Sequence, residues 1–231
     1  MQINSSSFSG KSFSAFSRTD LLAVLAVFCL IASVTTVALV NQQRKARLLL
    51  CIDNLQKVNR AILSFAGDHA GSLPGTLRSE KGPSWWWYKD EIRSYTGLTG
   101  PSSPDDKLFA CPLDRGYSDP GPFWKNPRFN FTSYVFNGVT LLGAPNVAGW
   151  KLPDITNPDR TLTVMEWSAH GPLSWHRSRT GKANAPFYRD AESVVAFADG
   201  HVSFTKFYFD GFNPAYTRDP IPGYAYKFGG K

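Results

Sequence analysis

The chain has 231 residues, 25 Lys and Arg against 18 Asp and Glu, a net charge of +7 and three cysteines. That length suits a membrane segment plus one globular domain, and cysteines this far apart in sequence predict no metal framework. The basic residues are scattered except at Arg44, Lys45 and Arg47 and carry no zinc-finger or helix-turn-helix signature, so no nucleic-acid partner is expected.

Residues 1–15 are polar and Ser-rich and read as a leader. Leu21 to Val40 is 20 residues without a formal charge, long enough as a helix to span ~30 Å of hydrocarbon. Arg44, Lys45 and Arg47 then fall where lipid head groups would lie. From Asn41 to Phe65 there is no Gly or Pro. Cys51, Leu55, Val58, Ile62 and Phe65 recur at alternating steps of four and three, which predicts an apolar stripe on a helix. Asp53, Lys57 and Arg60 fall off that stripe, and Gly67 and Gly71 are expected to stop the helix.

Residues 67–130 are rich in turn formers, and Trp85-Trp86-Trp87 is read as packing rather than as a sugar-stacking platform. Strands are predicted over 131–137, 160–167, 192–198 and 201–209. Asp199-Gly200 between the last two predicts a hairpin with both turn residues at positive φ. Apolar positions in 201–209 shift from even to odd, which predicts a bulge near Thr205. The tail, 210–231, is expected to fold over the sheet. The fold class is α+β: a long N-terminal helix, transmembrane and then amphipathic, packed on a C-terminal antiparallel sheet.

Ala15, Phe16, Ser17, Arg18, Thr19 and Asp20, followed by the apolar run, resemble the prepilin signal of type IV pilins and type II secretion pseudopilins. Cys51-Ile52-Asp53-Asn54-Leu55 and Val58, Cys111-Pro112-Leu113-Asp114, Ser133 to Gly138, and Phe197-Ala198-Asp199-Gly200-His201 follow in an order similar to pseudopilin-like proteins of Planctomycetes, Verrucomicrobia and Lentisphaerae. The resemblance implies a leader over 1–15, a helix over 16–66 with its membrane part over 21–40, and an extracytoplasmic domain over 67–231. It implies cleavage between Ala15 and Phe16, N-methylation of Phe16, and a filament-assembly role for Asp20, where the family usually has Glu. The implied partners are a prepilin peptidase/methyltransferase, other pilin-like subunits and an inner-membrane assembly platform. The implied location is the bacterial inner membrane, single-pass. Many relatives carry a His with nine residues between it and the Asp-Gly pair. Here Arg189 holds that position, and 22 residues separate His176 from Asp199.

The function expected is a pilin-like structural subunit, not an enzyme, with no cofactor and no metal. Glu166 is a candidate acid or base without an evident partner. Asp105, Asp106, Asp114 and Asp119 supply oxygens but follow no calcium-loop spacing. Asp199-Gly200-His201 reads as a turn rather than a site. Export favours a Cys51–Cys111 disulfide over two buried thiols. A non-polymerising anchored binding protein, for glycans, is the alternative. A secreted hydrolase cut near Ala38 is disfavoured, because the apolar run passes unbroken into the amphipathic helix.

Overall fold

The computed structural model describes residues 17–75, 85–117, 121–139, 144–171, 173–176, 191–209 and 219–231. The chain divides into two units, residues 1–44 and 45–231. Helix α1 (Arg18–Asp68) begins in the first and ends in the second.

The first unit holds the apolar part of α1. Its most apolar window has a mean hydropathy of 2.6 and is long and apolar enough to cross a membrane. Large side chains from Leu21 to Val40 are exposed, as lipid contact requires. The hydroxyls inside the run satisfy themselves locally. Ser33 donates to Leu30 O at 2.8 Å, Thr35 to Ile31 O at 2.8 Å and Thr36 to Ala32 O at 2.7 Å. A hydroxyl bonded to its own helix brings no unsatisfied donor into hydrocarbon.

The second unit is an α+β domain. Strands β1 (Tyr134–Phe136), β2 (Leu162–Glu166), β3 (Ala191–Phe197) and β4 (Val202–Phe207) form one antiparallel sheet in sequential order. Short helices α2 (Tyr88–Ile92) and α3 (Trp167–His170) flank it. Cys51, Leu55, Val58 and Ile62 of α1 are fully buried and share a core with Tyr134, Phe136, Val164, Val194 and Ala196. The opposite face buries Val135, Leu162, Met165, Val195, Phe197 and Phe207 under Ile221, Tyr226 and Phe228 of the tail. The described tail, 219–231, therefore covers the sheet; 210–218 lie outside the described residues.

Three sequence expectations are corrected here. Gly67 lies within α1. The stop is made by Ala70, at φ 53°, and by Gly71, whose N–H reaches back to Ala66 O at 2.8 Å. That five-residue return is the Schellman pattern, with Ala in the left-handed seat usually taken by Gly. Second, β3 and β4 pair without a slip from Ala191↔Phe207 to Ala196↔Val202, so there is no bulge at Thr205. Apolar residues change parity in β4 because each face has its own core: Phe204 packs toward α1 and Phe207 under the tail. The register shift lies instead between Leu162 and Met165 of β2, and it lets Thr163 and Val164 both serve the helix side. The third concerns the β3–β4 turn. Only Gly200, at φ 99°, has positive φ, and Asp199 does not.

Trp85, Trp86 and Trp87 are half-buried and make edge contacts with His170, Phe129 and Phe136 respectively, as the packing reading expects.

Candidate functional site

Ala15 and Phe16, the expected processing residues, lie outside the described residues. Asp20 is exposed in the first turn of α1. Ser17 N–H donates to Asp20 Oδ2 at 3.0 Å, and Asp20 N–H donates to Ser17 Oγ at 3.1 Å. This reciprocal pair is a capping box with Ser17 as the N-cap. Asp20 is thus the acceptor three residues into the box, not the cap itself.

The second group sits where α1 meets the loops. Cys51 and Cys111 form a disulfide, with Cα atoms 4.7 Å apart. The approach is set by Asn54, one turn beyond Cys51. Its Nδ2 donates to Lys107 O at 3.0 Å and to Ala110 O at 2.9 Å, fastening the loop just before Cys111. Tyr134 Oη donates to Cys51 O at 3.2 Å. On the other side, Cys111 N–H donates to Ser133 Oγ at 3.0 Å, and that hydroxyl donates to Asp114 Oδ2 at 2.7 Å. Asp114 also accepts from the N–H of Gly116 at 2.7 Å and of Phe123 at 2.9 Å. Burial nonetheless pushes its carboxyl up to about 7 against these donors. The Cys-Pro-x-Asp element is thus a closed turn whose acid is used internally.

Beside the disulfide lies a feature the sequence left without a partner. Glu166 closes β2, and His176 follows α3 by a short loop. His176 Nε2 stands 2.6 Å from Glu166 Oε1, with both side chains buried. Val194 N–H donates to Glu166 Oε2 at 2.9 Å, so both carboxylate oxygens are held. His176 Nε2 is also 3.9 Å from Cys111 Sγ. The ligand-type atoms of Cys51, Cys111, Glu166 and His176 all fall within 4.8 Å of one another, and all four residues are buried. The sequence singles out Glu166 as a candidate acid or base but misses its partner, His176; an acid closing a strand buried along its whole length needs one.

Asp199 and His201 do not join that cluster. Asp199 Oδ1 accepts from His201 N–H at 3.0 Å and lies 2.6 Å from His201 Nδ1, while the His201 ring stacks on Phe197 at 4.2 Å. Gly200 N–H closes the turn on Phe197 O at 3.0 Å. The motif is a three-residue loop in which the acid binds its own backbone and only glycine takes the left-handed seat.

The acids weighed for calcium are dispersed. Asp106 is gripped by Arg93 through two bonds, of 2.6 and 3.0 Å, and by Lys89 at 3.0 Å. Burial opposes its charge, but these cations outweigh burial and hold its carboxyl well below the usual carboxylate range. Lys89 Nζ also donates to the carbonyls of Asn130 at 2.8 Å and Phe131 at 3.3 Å, two residues held at φ 49° and 52°. Its burial lowers the ammonium's affinity for its proton, against the pull of Asp106. Asp105 is exposed, and Asp119 lies outside the described residues.

No family model, curated protein or solved structure matches the chain.

Proposed function

We propose that the chain is a membrane-anchored, pilin-like structural subunit of a type II secretion or type IV pilus-like filament. The observation that carries this reading is α1. One uninterrupted helix joins an apolar, wholly exposed stretch to a stripe buried in an α+β domain. A cleaved secretory signal has no need of such continuity. An assembling subunit does: its apolar half rests in the inner membrane and then packs against the same halves of other subunits, while its domain stays extracytoplasmic.

In this reading a prepilin peptidase/methyltransferase removes residues 1–15 and methylates the new amine of Phe16. That amine is a positive charge at the depth of Asp20. A carboxylate in a low-dielectric helix bundle penalises any register that leaves it unpaired, so Asp20 and a neighbour's Phe16 amine would set the stagger. An inner-membrane assembly platform would supply the work.

The test is N-terminal sequencing and intact mass of protein purified from membranes. A chain starting at methylated Phe16 is the expected result. A start at Met1 or near Leu39 overturns the reading. The alternative is a non-polymerising anchored protein that binds glycans. It draws on the open groove beside β4, lined by Arg160, Glu192, His201, Lys206 and Tyr224. In-membrane cross-linking through α1 separates the two, since only the subunit yields ladders of like chains.

A further inference from the structure

We propose that Cys51, Cys111, His176 and Glu166 form a Zn2+ site when the Cys51–Cys111 disulfide is reduced, so that this buried point alternates between a disulfide and a bound metal. Four residues far apart in sequence, on α1, a loop, the end of β2 and the segment after α3, bring their ligand atoms within 4.8 Å. A tetrahedral zinc with sulfurs at about 2.3 Å places the two sulfurs about 3.8 Å apart. The change from the disulfide is therefore one of side-chain rotation.

The donor set selects the ion. Two sulfurs, one imidazole nitrogen and one carboxylate oxygen suit zinc and exclude the all-oxygen shells of calcium and magnesium. Charge argues the same way. In the disulfide form the Glu166 carboxylate is held by His176 and the Val194 N–H. In the reduced form two thiols would stand beside that carboxylate in a site closed to water, and they could ionise there only with a divalent cation among them.

Each ligand is already oriented from behind. Asn54 and Ser133 fix the backbone on either side of Cys111, Tyr134 holds the carbonyl of Cys51, and Val194 N–H aims Glu166. His176 is braced by Ser174 Oγ on its N–H at 3.2 Å and by the edge of Phe204. Outer contacts of this kind are what set the affinity of a metal site.

A dithiol reductant gives two electrons and two protons to the Cys51–Cys111 bond, leaving two protein thiols and the reductant's own disulfide. Zn2+ then displaces the two thiol protons to solvent, the proton shared by His176 Nε2 and Glu166 Oε1 passes to Nδ1 or to solvent, and both sulfurs, Nε2 and a Glu166 oxygen bond the ion.

The test uses the full chain in detergent. It is reduced with dithiothreitol, freed of reductant without air, and titrated with Zn2+ and separately with Co2+. One ion per chain is expected in the reduced protein and none in the oxidised protein, and cobalt should give thiolate charge-transfer bands with the strong visible bands of a tetrahedral ion. His176→Ala and Glu166→Gln should each weaken binding by about a hundredfold or more, the upper range for loss of even an outer-shell partner. Their folding is checked by near-ultraviolet dichroism in the oxidised state. If the reduced chain unfolds, refolding on addition of Zn2+ supports the site. No stoichiometric binding, binding unaltered in both variants, or a reduced chain that stays unfolded with Zn2+ present overturns it.

Discussion

Asn59 of α1 and Thr163 of β2 share a fully buried hydrogen bond, Thr163 Oγ1 donating to Asn59 Oδ1 at 2.6 Å. Asn59 Nδ2 in turn donates to Phe197 O at 3.0 Å, the last residue of β3. One side chain thereby ties the helix to two strands and fixes its rotation and height on the sheet. Truncating it to Ala removes both bonds and opens a gap in the core, leaving the Thr163 hydroxyl on Ala196 O at 3.2 Å and the Phe197 carbonyl on Gly200 N–H. Asn59→Ala should cost roughly 2–4 kcal/mol in chemical denaturation, and Thr163→Val roughly 1–2 kcal/mol. A double-mutant cycle should show coupling of about 1 kcal/mol or more, and additive losses would refute the link.

Asp106 makes a second prediction, with the opposite logic to a surface ion pair. Lys89 is wholly buried and Arg93 nearly so, and both address one carboxylate. Asp106→Ala strips two buried cations of their shared carboxylate and leaves them carbonyl acceptors and the longer-range pull of Asp90, and the loss should be about 3–5 kcal/mol. Lys89→Met should cost less, because it removes a buried charge along with its desolvation and leaves Arg93 on the acid. Equal losses in the two variants would contradict this account. The pH sign follows from the depressed carboxyl of Asp106: its contribution is whole above the ordinary Asp range and is lost only as strong acid protonates it in the folded state.

Much of this fold is legible in the sequence where one period dominates. The buried face of α1 follows its four-and-three spacing; three strands fall inside the predicted segments, and β3 begins one residue before its own, at Ala191. Legibility fails where a residue answers to two neighbours at once. Asn59 lies on the apolar stripe, four residues from Leu55 and three from Ile62, and its polarity hid its burial. Parity in β4 misled because both faces of the sheet are covered, so apolar residues on either side read as a slip. At the cluster, Cys51 and Cys111 stood out as residue types. The pairing of Glu166 with His176 depends on how the chain turns after β2, and no spacing rule encodes that.

Buried His170 makes the stability of the fold depend on pH. Burial beside Trp85 lowers its pKa from 6.5 to about 3 in the folded protein. Between those values the unfolded chain binds a proton that the folded chain refuses, so stability falls as pH falls through that window. The slope is on the order of 1 kcal/mol per pH unit. Asp114, raised by burial, contributes the reverse slope, so the measurement is the difference between wild type and His170→Gln. That difference should grow in favour of the variant from neutral pH toward pH 4 in thermal melts. A gap that stays constant with pH would show that His170 is not held neutral.

Asp20 belongs to the capping box of α1, and the proposed function gives it a filament contact as well; the box provides the means to separate the two. Ser17 and Asp20 form the box together. Ser17→Ala and Asp20→Ala should therefore cost the first turn similar amounts, each about 1 kcal/mol. If capping were the whole role, the two variants would assemble alike. Pairing with a neighbour's Phe16 amine needs a negative charge and not merely a hydrogen-bond acceptor. Asp20→Asn, which keeps an oxygen for the Ser17 N–H, should then fail to enter filaments, while Ser17→Ala should enter normally. Asp20→Glu should restore entry. The readout is cross-linking of α1 in membranes together with intact mass, which confirms that all variants are processed equally. Equal assembly of Asp20→Asn and wild type would reduce Asp20 to its cap, and the stagger of the subunits would then have to rest on the apolar surface from Leu21 to Val40 alone.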